Sequence, residues 1–176
     1  MIEIKNVSKS YNGKTKALNN VSFKVPNGKI FAFIGHNGAG KTTLIKMIMG
    51  ILDFDEGDIL VEGKSIKDSP IECKKVMAYL PDNPDLYENM KAIDYINFVC
   101  DMYDVNSEIR EKNILKYSRL LEMDKNLNDE ISSFSHGMKQ KIALISALCH
   151  EPKILVMDEP FVGLDPKAVF DMKKAT

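Results

Sequence analysis

Gly35-His36-Asn37-Gly38-Ala39-Gly40-Lys41-Thr42-Thr43 decides how the rest of the chain is read. It fits G-x-x-x-x-G-K-[ST], a loop that wraps the phosphates of a nucleoside triphosphate. Gly35, Gly38 and Gly40 admit backbone angles that a Cβ would block, so successive amides can turn inward and form an anion nest. A helix starting near Gly40 aims the positive end of its dipole at the same place. Lys41 would reach the β- and γ-phosphates, and the Thr42 hydroxyl would ligate Mg²⁺. The flanks agree with this reading. Ile30-Phe31-Ala32-Phe33-Ile34 reads as a buried strand leading into the loop, and Leu44, Ile45, Ile48 and Met49 recur at helical spacing after it. The plainer alternative is a glycine turn without a ligand, and the flanks weigh against it.

Working outward, the 176 residues are 44% apolar and 28% charged, the composition of a globular domain with a sizeable core. A net charge of −1 gives no bulk attraction to nucleic acid or acidic lipid. No apolar run approaches the roughly 18 residues that span a bilayer. Met1-Ile2-Glu3-Ile4-Lys5 lacks the pattern of a signal peptide. Cys73, Cys100 and Cys149 are scattered without C-x-x-C spacing, and read as buried free thiols in a reducing cytosol. His36, His136 and His150 do not cluster with cysteine at metal-ligand spacing, and read as loop or helix-surface residues.

Residues 2–8 and 17–25 read as neighbouring strands, followed by a turn at Pro26-Asn27-Gly28. A short strand over 58–62 closes at a hairpin-type turn, Gly63-Lys64. A helix over about 69–75 leads into a strand at 76–80, which Pro81, Asp82, Asn83 and Pro84 break sharply. From about 90 to 149 the pattern is helical. Met90, Ile93, Ile96, Val99 and Tyr103 form one face; Ile109, Ile114, Leu115, Leu120 and Leu121 a second; Ile142, Ile145, Leu148 and Cys149 a third. These positions read as packing. With the strand at Ile154–Met157, the alternation of elements points to an α/β class with a mostly parallel sheet.

That last strand delivers Asp158-Glu159 at its carboxyl end, where open α/β sheets bind ligands. Asp158 suits a Mg²⁺ ligand through water, and Glu159 suits a base for the attacking water. Lys41, Thr42, Asp158 and Glu159 together supply cation, metal ligands and base, the parts phosphoryl transfer needs.

Ser133-Phe134-Ser135-His136-Gly137-Met138-Lys139-Gln140-Lys141, shortly before Ile154–Pro160, resembles the signature motif of the nucleotide-binding domains of ATP-binding cassette (ABC) transporters. The order of motifs is that family's and covers essentially the whole chain. Tyr11 matches the adenine-stacking aromatic, Tyr79-Leu80-Pro81-Asp82 the Q-loop, and Gly163-Leu164-Asp165 the D-loop. The resemblance implies one domain, 1–176, with a P-loop NTPase core, an N-terminal antiparallel β subdomain and an inserted helical subdomain at about 84–150. It implies ATP and Mg²⁺ as ligands. The phosphate loop Gly35, His36, Asn37, Gly38, Ala39, Gly40, Lys41, Thr42 and Thr43 would hold the nucleotide with Tyr11, and Thr42, Asp82 and Asp158 would serve the metal. Ser135 is a good N-cap for the helix that follows. The family packs two domains head to tail, so Ser135, Gly137 and Met138 would touch a nucleotide held by a second, identical or different domain. The implied partner is a transmembrane permease on a separate chain, which places the protein on the inner face of the cell membrane; 83–103 reads either as its docking surface or as an ordinary helical hairpin closing the core. No nucleic-acid partner is expected.

Three departures qualify the resemblance. Asp82 stands where the family usually has Gln, and brings a charge near the γ-phosphate. His136 and Met138 replace the first Gly and the Gln of the commonest signature. No histidine follows His150, whereas the family carries a switch histidine well past the D-loop. The last point, with an open sheet edge, gives the expectation that 1–176 is a fragment of a longer domain. The acidic Q-loop and the signature look similar to the exporter branch. Two alternatives stay open: a soluble cassette ATPase acting on ribosomes or DNA, and a nucleotide-sensing module that dimerises with little turnover.

Overall fold

A computed structural model describes residues 1–11, 16–36, 38–161 and 166–175. It forms two compact units, Met1–Met77 and Ala78–Thr176.

In the first unit β1 (Ile2–Ser10) is flanked by β2 (Lys16–Val25) and β3 (Glu56–Val61), both antiparallel to it, and β4 (Lys64–Ser65) adds to β3. Ile2 and Ile4 are buried at the two-residue period of a strand. The period then slips. Asn6 takes a left-handed backbone, with φ of 52°, and Val7 and Ser8 are both buried. The bulge is fixed by the Asn6 amide donating to Ser22 Oγ at 2.8 Å and its side chain to Asn20 Oδ1 at 2.8 Å. Glu62 and Gly63, with φ of 49° and 81°, form the two-residue hairpin turn between β3 and β4, one residue earlier than Gly63-Lys64. Two helices complete the unit, α1 (Lys41–Ile48) and α2 (Pro70–Lys75). Apolar Leu44, Ile45, Met47 and Ile48 bury α1, and Pro70 starts α2 where its missing N–H costs nothing.

The expected strand at 30–34 does not form. Ile30 is 103% exposed and Ile34 96%. Phe31 and Phe33 instead gather on Phe23 of β2, with ring centroids 5.0 and 5.5 Å from it. Alternate side chains therefore still share a side, as in any extended chain, but there is no ladder. A strand exists only where a neighbour supplies N–H and C=O partners, and the ladder pairs in this unit all lie in β2-β1-β3-β4. The apolar run signals a need for cover, and aromatic packing provides part of it, about 1 kcal/mol per ring pair.

The second unit holds all but the first residue of β5 (Met77–Leu80), beside β6 (Ile154–Met157), with α3 (Ala92–Met102), α4 (Ser107–Leu120), α5 (His136–Cys149) and α6 (Pro166–Ala175). A single 3₁₀ turn spans Ile131–Ser133. Helix α5 is central, buried continuously from Ile142 to Cys149, with α3 and α4 against it. The inner stripe of α3 is Ala92, Ile96 and Cys100, with Ile93, Val99 and Tyr103 half-buried beside it.

On α4 the expected face is displaced. Ile109 and Leu115 are exposed, and Asn113, Ile114 and Ser118 face inward. Asn113 Nδ2 donates to the Cys149 carbonyl at 3.0 Å and to Glu151 Oε1 at 3.3 Å. It thereby satisfies one of the carbonyls that every helix end leaves unpaired. A purely apolar pattern cannot register that demand. His150 is not a surface residue either: its ring is half-buried and stacks on Tyr103 with centroids 3.7 Å apart. All three cysteines are buried and free. No helix of the described residues is long and apolar enough to cross a membrane.

Candidate functional site

In the first unit the phosphate-loop sequence forms the entry to α1. Gly40 is the N-cap in the left-handed conformation, φ 85° and ψ 8°, with no side-chain cap. A Cβ there would stand 2.7 Å from the Ala17 carbonyl oxygen and 3.0 Å from Leu18 Cδ2, so both space and angle demand glycine. Gly38, with φ of 83°, faces open space and is required for its angle alone. Gly35 differs from the expectation. Its backbone is not left-handed, and its constraint is spatial, a Cβ there meeting Ala39 Cβ at 3.1 Å.

Lys41 folds back over the loop and donates to the carbonyls of Gly35 at 2.9 Å and His36 at 3.2 Å. The Ala39 amide closes a turn onto the His36 carbonyl at 3.1 Å. Thr42 is exposed at the first turn of α1. The Thr43 hydroxyl meets the Tyr11 hydroxyl at 3.1 Å, which holds the exposed Tyr11 ring beside the start of α1. Asn37 lies outside the described residues, as do Gly163, Leu164 and Asp165.

In the second unit Asp158 follows β6 and is 4% exposed. Its amide donates to the Leu80 carbonyl at 2.9 Å, tying the end of β6 to the end of β5. Burial first, and then the carboxylates of Asp158 and Asp82, push the Tyr79 hydroxyl above the usual tyrosine range. Asp82 and Asp158 thus lie within electrostatic reach of one side chain. No ion pair among the described residues involves Asp158. A buried carboxylate in that position favours a cation beside it. Carboxylate oxygens, as on Asp82 and Asp158 of this unit, are hard donors of the kind Mg²⁺ takes. Among the described residues no cluster of three or more His, Cys, Asp or Glu could hold a metal by itself. A Mg²⁺ ion would therefore draw on water and phosphate oxygens as well. Glu159, one residue on, is exposed and left-handed, with φ of 46°. For a non-glycine residue that backbone costs about 1–2 kcal/mol.

Ser135 caps α5, its Oγ accepting from the Met138 amide at 3.3 Å. His136 is exposed, and Gly137 and Met138 are half-buried in the first turn. The three residues that follow each reach a different segment. Lys139 Nζ pairs with Glu88, Gln140 Nε2 donates to the Asp82 and Pro81 carbonyls, and Lys141 Nζ donates to the Leu121 carbonyl at 3.0 Å. The sequence gives Gln140 only as one letter of a motif. The available signal was its place at the start of a wholly buried helix face.

The ABC transporter family model matches residues 18–162. The chain belongs to the ABC transporter family. It is 34% identical over 173 residues to YhcH, an uncharacterized ABC transporter ATP-binding protein of Bacillus subtilis, covering 98% of this chain and 55% of YhcH. It is 37% identical over 174 residues to the lantibiotic transport ATP-binding protein SrtF of Streptococcus pyogenes, covering 99% of this chain and 72% of SrtF. A solved ATP-binding subunit of an ABC transporter superposes with a TM-score of 0.93 at 32% identity, over 99% of this chain and 72% of that one. The ABC chain described here thus spans between about half and three quarters of these relatives.

Proposed function

We propose that this chain is the nucleotide-binding part of an ABC transporter ATP-binding subunit, with residues 84–150 as its helical subdomain. The observation that carries the proposal is the glycine-built entry to α1, with Lys41 already poised over its carbonyls. ATP lies with its phosphates on the amides of Gly35, His36, Asn37, Gly38, Ala39 and Gly40, and its adenine on Tyr11. Lys41 meets the β- and γ-phosphates, and Thr43 steadies Tyr11 through their shared hydrogen bond. Thr42 and Asp158 hold Mg²⁺, with Asp82 nearby. The ion held by these residues would supply positive charge to offset that of the phosphates. Glu159 accepts the proton of the attacking water. In a head-to-tail dimer, Ser135, Gly137 and Met138 contact the nucleotide held by the second domain.

The transport partner is a separate permease chain, docked on 83–103, and it gives the subunit its place on the cytoplasmic face of the membrane. Two features of that stretch support docking. Tyr87 and Phe98 are exposed and meet edge to face at 5.7 Å. A cavity of about 170 Å³ opens beside them, lined by Tyr79, Asp85, Tyr95, Tyr103, Ser146 and His150. Export is the direction proposed, in keeping with the acidic Asp82.

The test is phosphate release from ATP by the full-length protein with its permease. Lys41→Ala and Glu159→Gln should each abolish steady-state turnover. Wild-type rates in both would overturn the assignment. Asp82 in place of Gln also favours a second reading, a nucleotide-sensing module without turnover. Single-turnover hydrolysis by the same protein separates the two.

A further inference from the structure

Three successive carbonyls, at Leu80, Pro81 and Asp82, are all held. The Asp158 amide takes the first at 2.9 Å. Gln140 Nε2 donates to the other two, the Pro81 carbonyl at 3.4 Å and the Asp82 carbonyl. Gln140 is 1% exposed, among the apolar side chains of α5, and its Oε1 has no hydrogen-bond partner among the described residues. A buried, half-satisfied amide is costly relative to an apolar side chain of the same size. Packing alone would therefore favour Leu or Met at this position. What the amide supplies is a rigid link of one side chain between the first turns of α5, which carry Ser135, Gly137 and Met138, and the backbone of Asp82. The Asp82 side chain is exposed, so its placement depends on these backbone anchors.

We infer that Gln140 is a positioning residue: it locks the Pro81–Asp82 backbone to the start of α5, so that Asp82 and the Ser135–Met138 turn move as one body. The inference rests on the proposed place of Asp82 beside the Mg²⁺ of the nucleotide site. It makes the signature turn and the acid mechanically dependent. A second domain that presses on Ser135, Gly137 and Met138 displaces Asp82 as well, through Gln140.

The test is a set of variants of the full-length protein with its permease: Gln140→Leu, which keeps the volume and loses the donor; Gln140→Glu, which keeps the shape and puts a charge against two carbonyls; Asp82→Ala; and the Gln140→Leu/Asp82→Ala double. ATP turnover is followed against ATP and against Mg²⁺, and melting temperature is measured alongside. Both Gln140 variants should lower kcat by about tenfold, with KM for ATP within about twofold. They should also raise the Mg²⁺ needed for half-maximal rate by several-fold. Because Gln140 acts through Asp82, the double variant should be no slower than Asp82→Ala by more than about twofold. A purely structural role would move the melting temperature without moving the Mg²⁺ requirement. Normal kcat in both Gln140 variants, with Asp82→Ala impaired, overturns the inference and leaves the Asp82 reading intact. Losses that multiply in the double variant overturn it too. Normal kcat in Asp82→Ala overturns the reading of Asp82 itself. If Gln140→Leu fails to fold, Gln140→Glu alone and combined with Asp82→Ala decides by the same criteria.

Discussion

Helices α1 and α5 begin in opposite ways. Gly40 starts α1 in a left-handed conformation, with no side chain to occupy the first amides. Ser135 starts α5 in an extended conformation, and its hydroxyl takes the Met138 amide. Both ends carry the partial positive charge of a helix start. Only the first keeps its amides clear of its own side chains. Ser135 already spends an oxygen on its own helix, so an incoming phosphate at α5 must share the Met138 amide or displace the hydroxyl. On the proposed reading, the difference would give α1 the stronger anion affinity and α5 the lesser contact.

The largest effect that could break this comparison is on chemistry. Lys41→Ala should lower the rate of phosphate release by at least about 10²–10³-fold, the loss expected when one charge-stabilising group is removed. A smaller loss would show that the loop amides suffice. Next comes stability. Gly40→Ala combines a left-handed angle with a backbone clash and should cost about 3 kcal/mol in chemical denaturation. Gly38→Ala, with the angle but not the clash, should cost about 1 kcal/mol. Equal costs would show that the Ala17 carbonyl moves aside. Ser135→Ala should lose about 1 kcal/mol of stability as a missing N-cap. If α5 is the weaker phosphate contact, nucleotide affinity should fall less in this variant than in Lys41→Ala. The smallest expected effect is at Tyr11. Tyr11→Phe removes an exposed hydrogen bond to Thr43 and should change ATP affinity by no more than a few-fold. Tyr11→Ala, which also removes the ring, should weaken it by about 1–3 kcal/mol in a nucleotide titration.

The two helix starts also differ in how openly the sequence announces them. Glycines at 35, 38 and 40 ahead of Lys41 carry the loop in plain view, because backbone angle is a property of residue type. Ser135 ahead of an apolar helix is nearly as legible. What escaped was relational. The 30–34 segment has the composition of a strand, but a ladder depends on what lies beside it. Asn113 and Gln140 look like polar intrusions until the carbonyls they serve are known: Cys149 for one, Pro81 and Asp82 for the other. Gly35 departs from that rule: a neighbouring methyl at Ala39, and not its backbone angle, excludes a side chain there.

The contacts of Lys41 set a ceiling on what this loop can gain from a nucleotide. Its ammonium already donates to the Gly35 and His36 carbonyls, at 2.9 and 3.2 Å, within the loop it belongs to. Binding a phosphate is therefore an exchange of partners for this lysine. The net gain is the difference between a carbonyl and an anionic oxygen, each competing for the same three protons. On the proposed reading, the same exchange run backward would ease release: as product left, the lysine would return to Gly35 and His36.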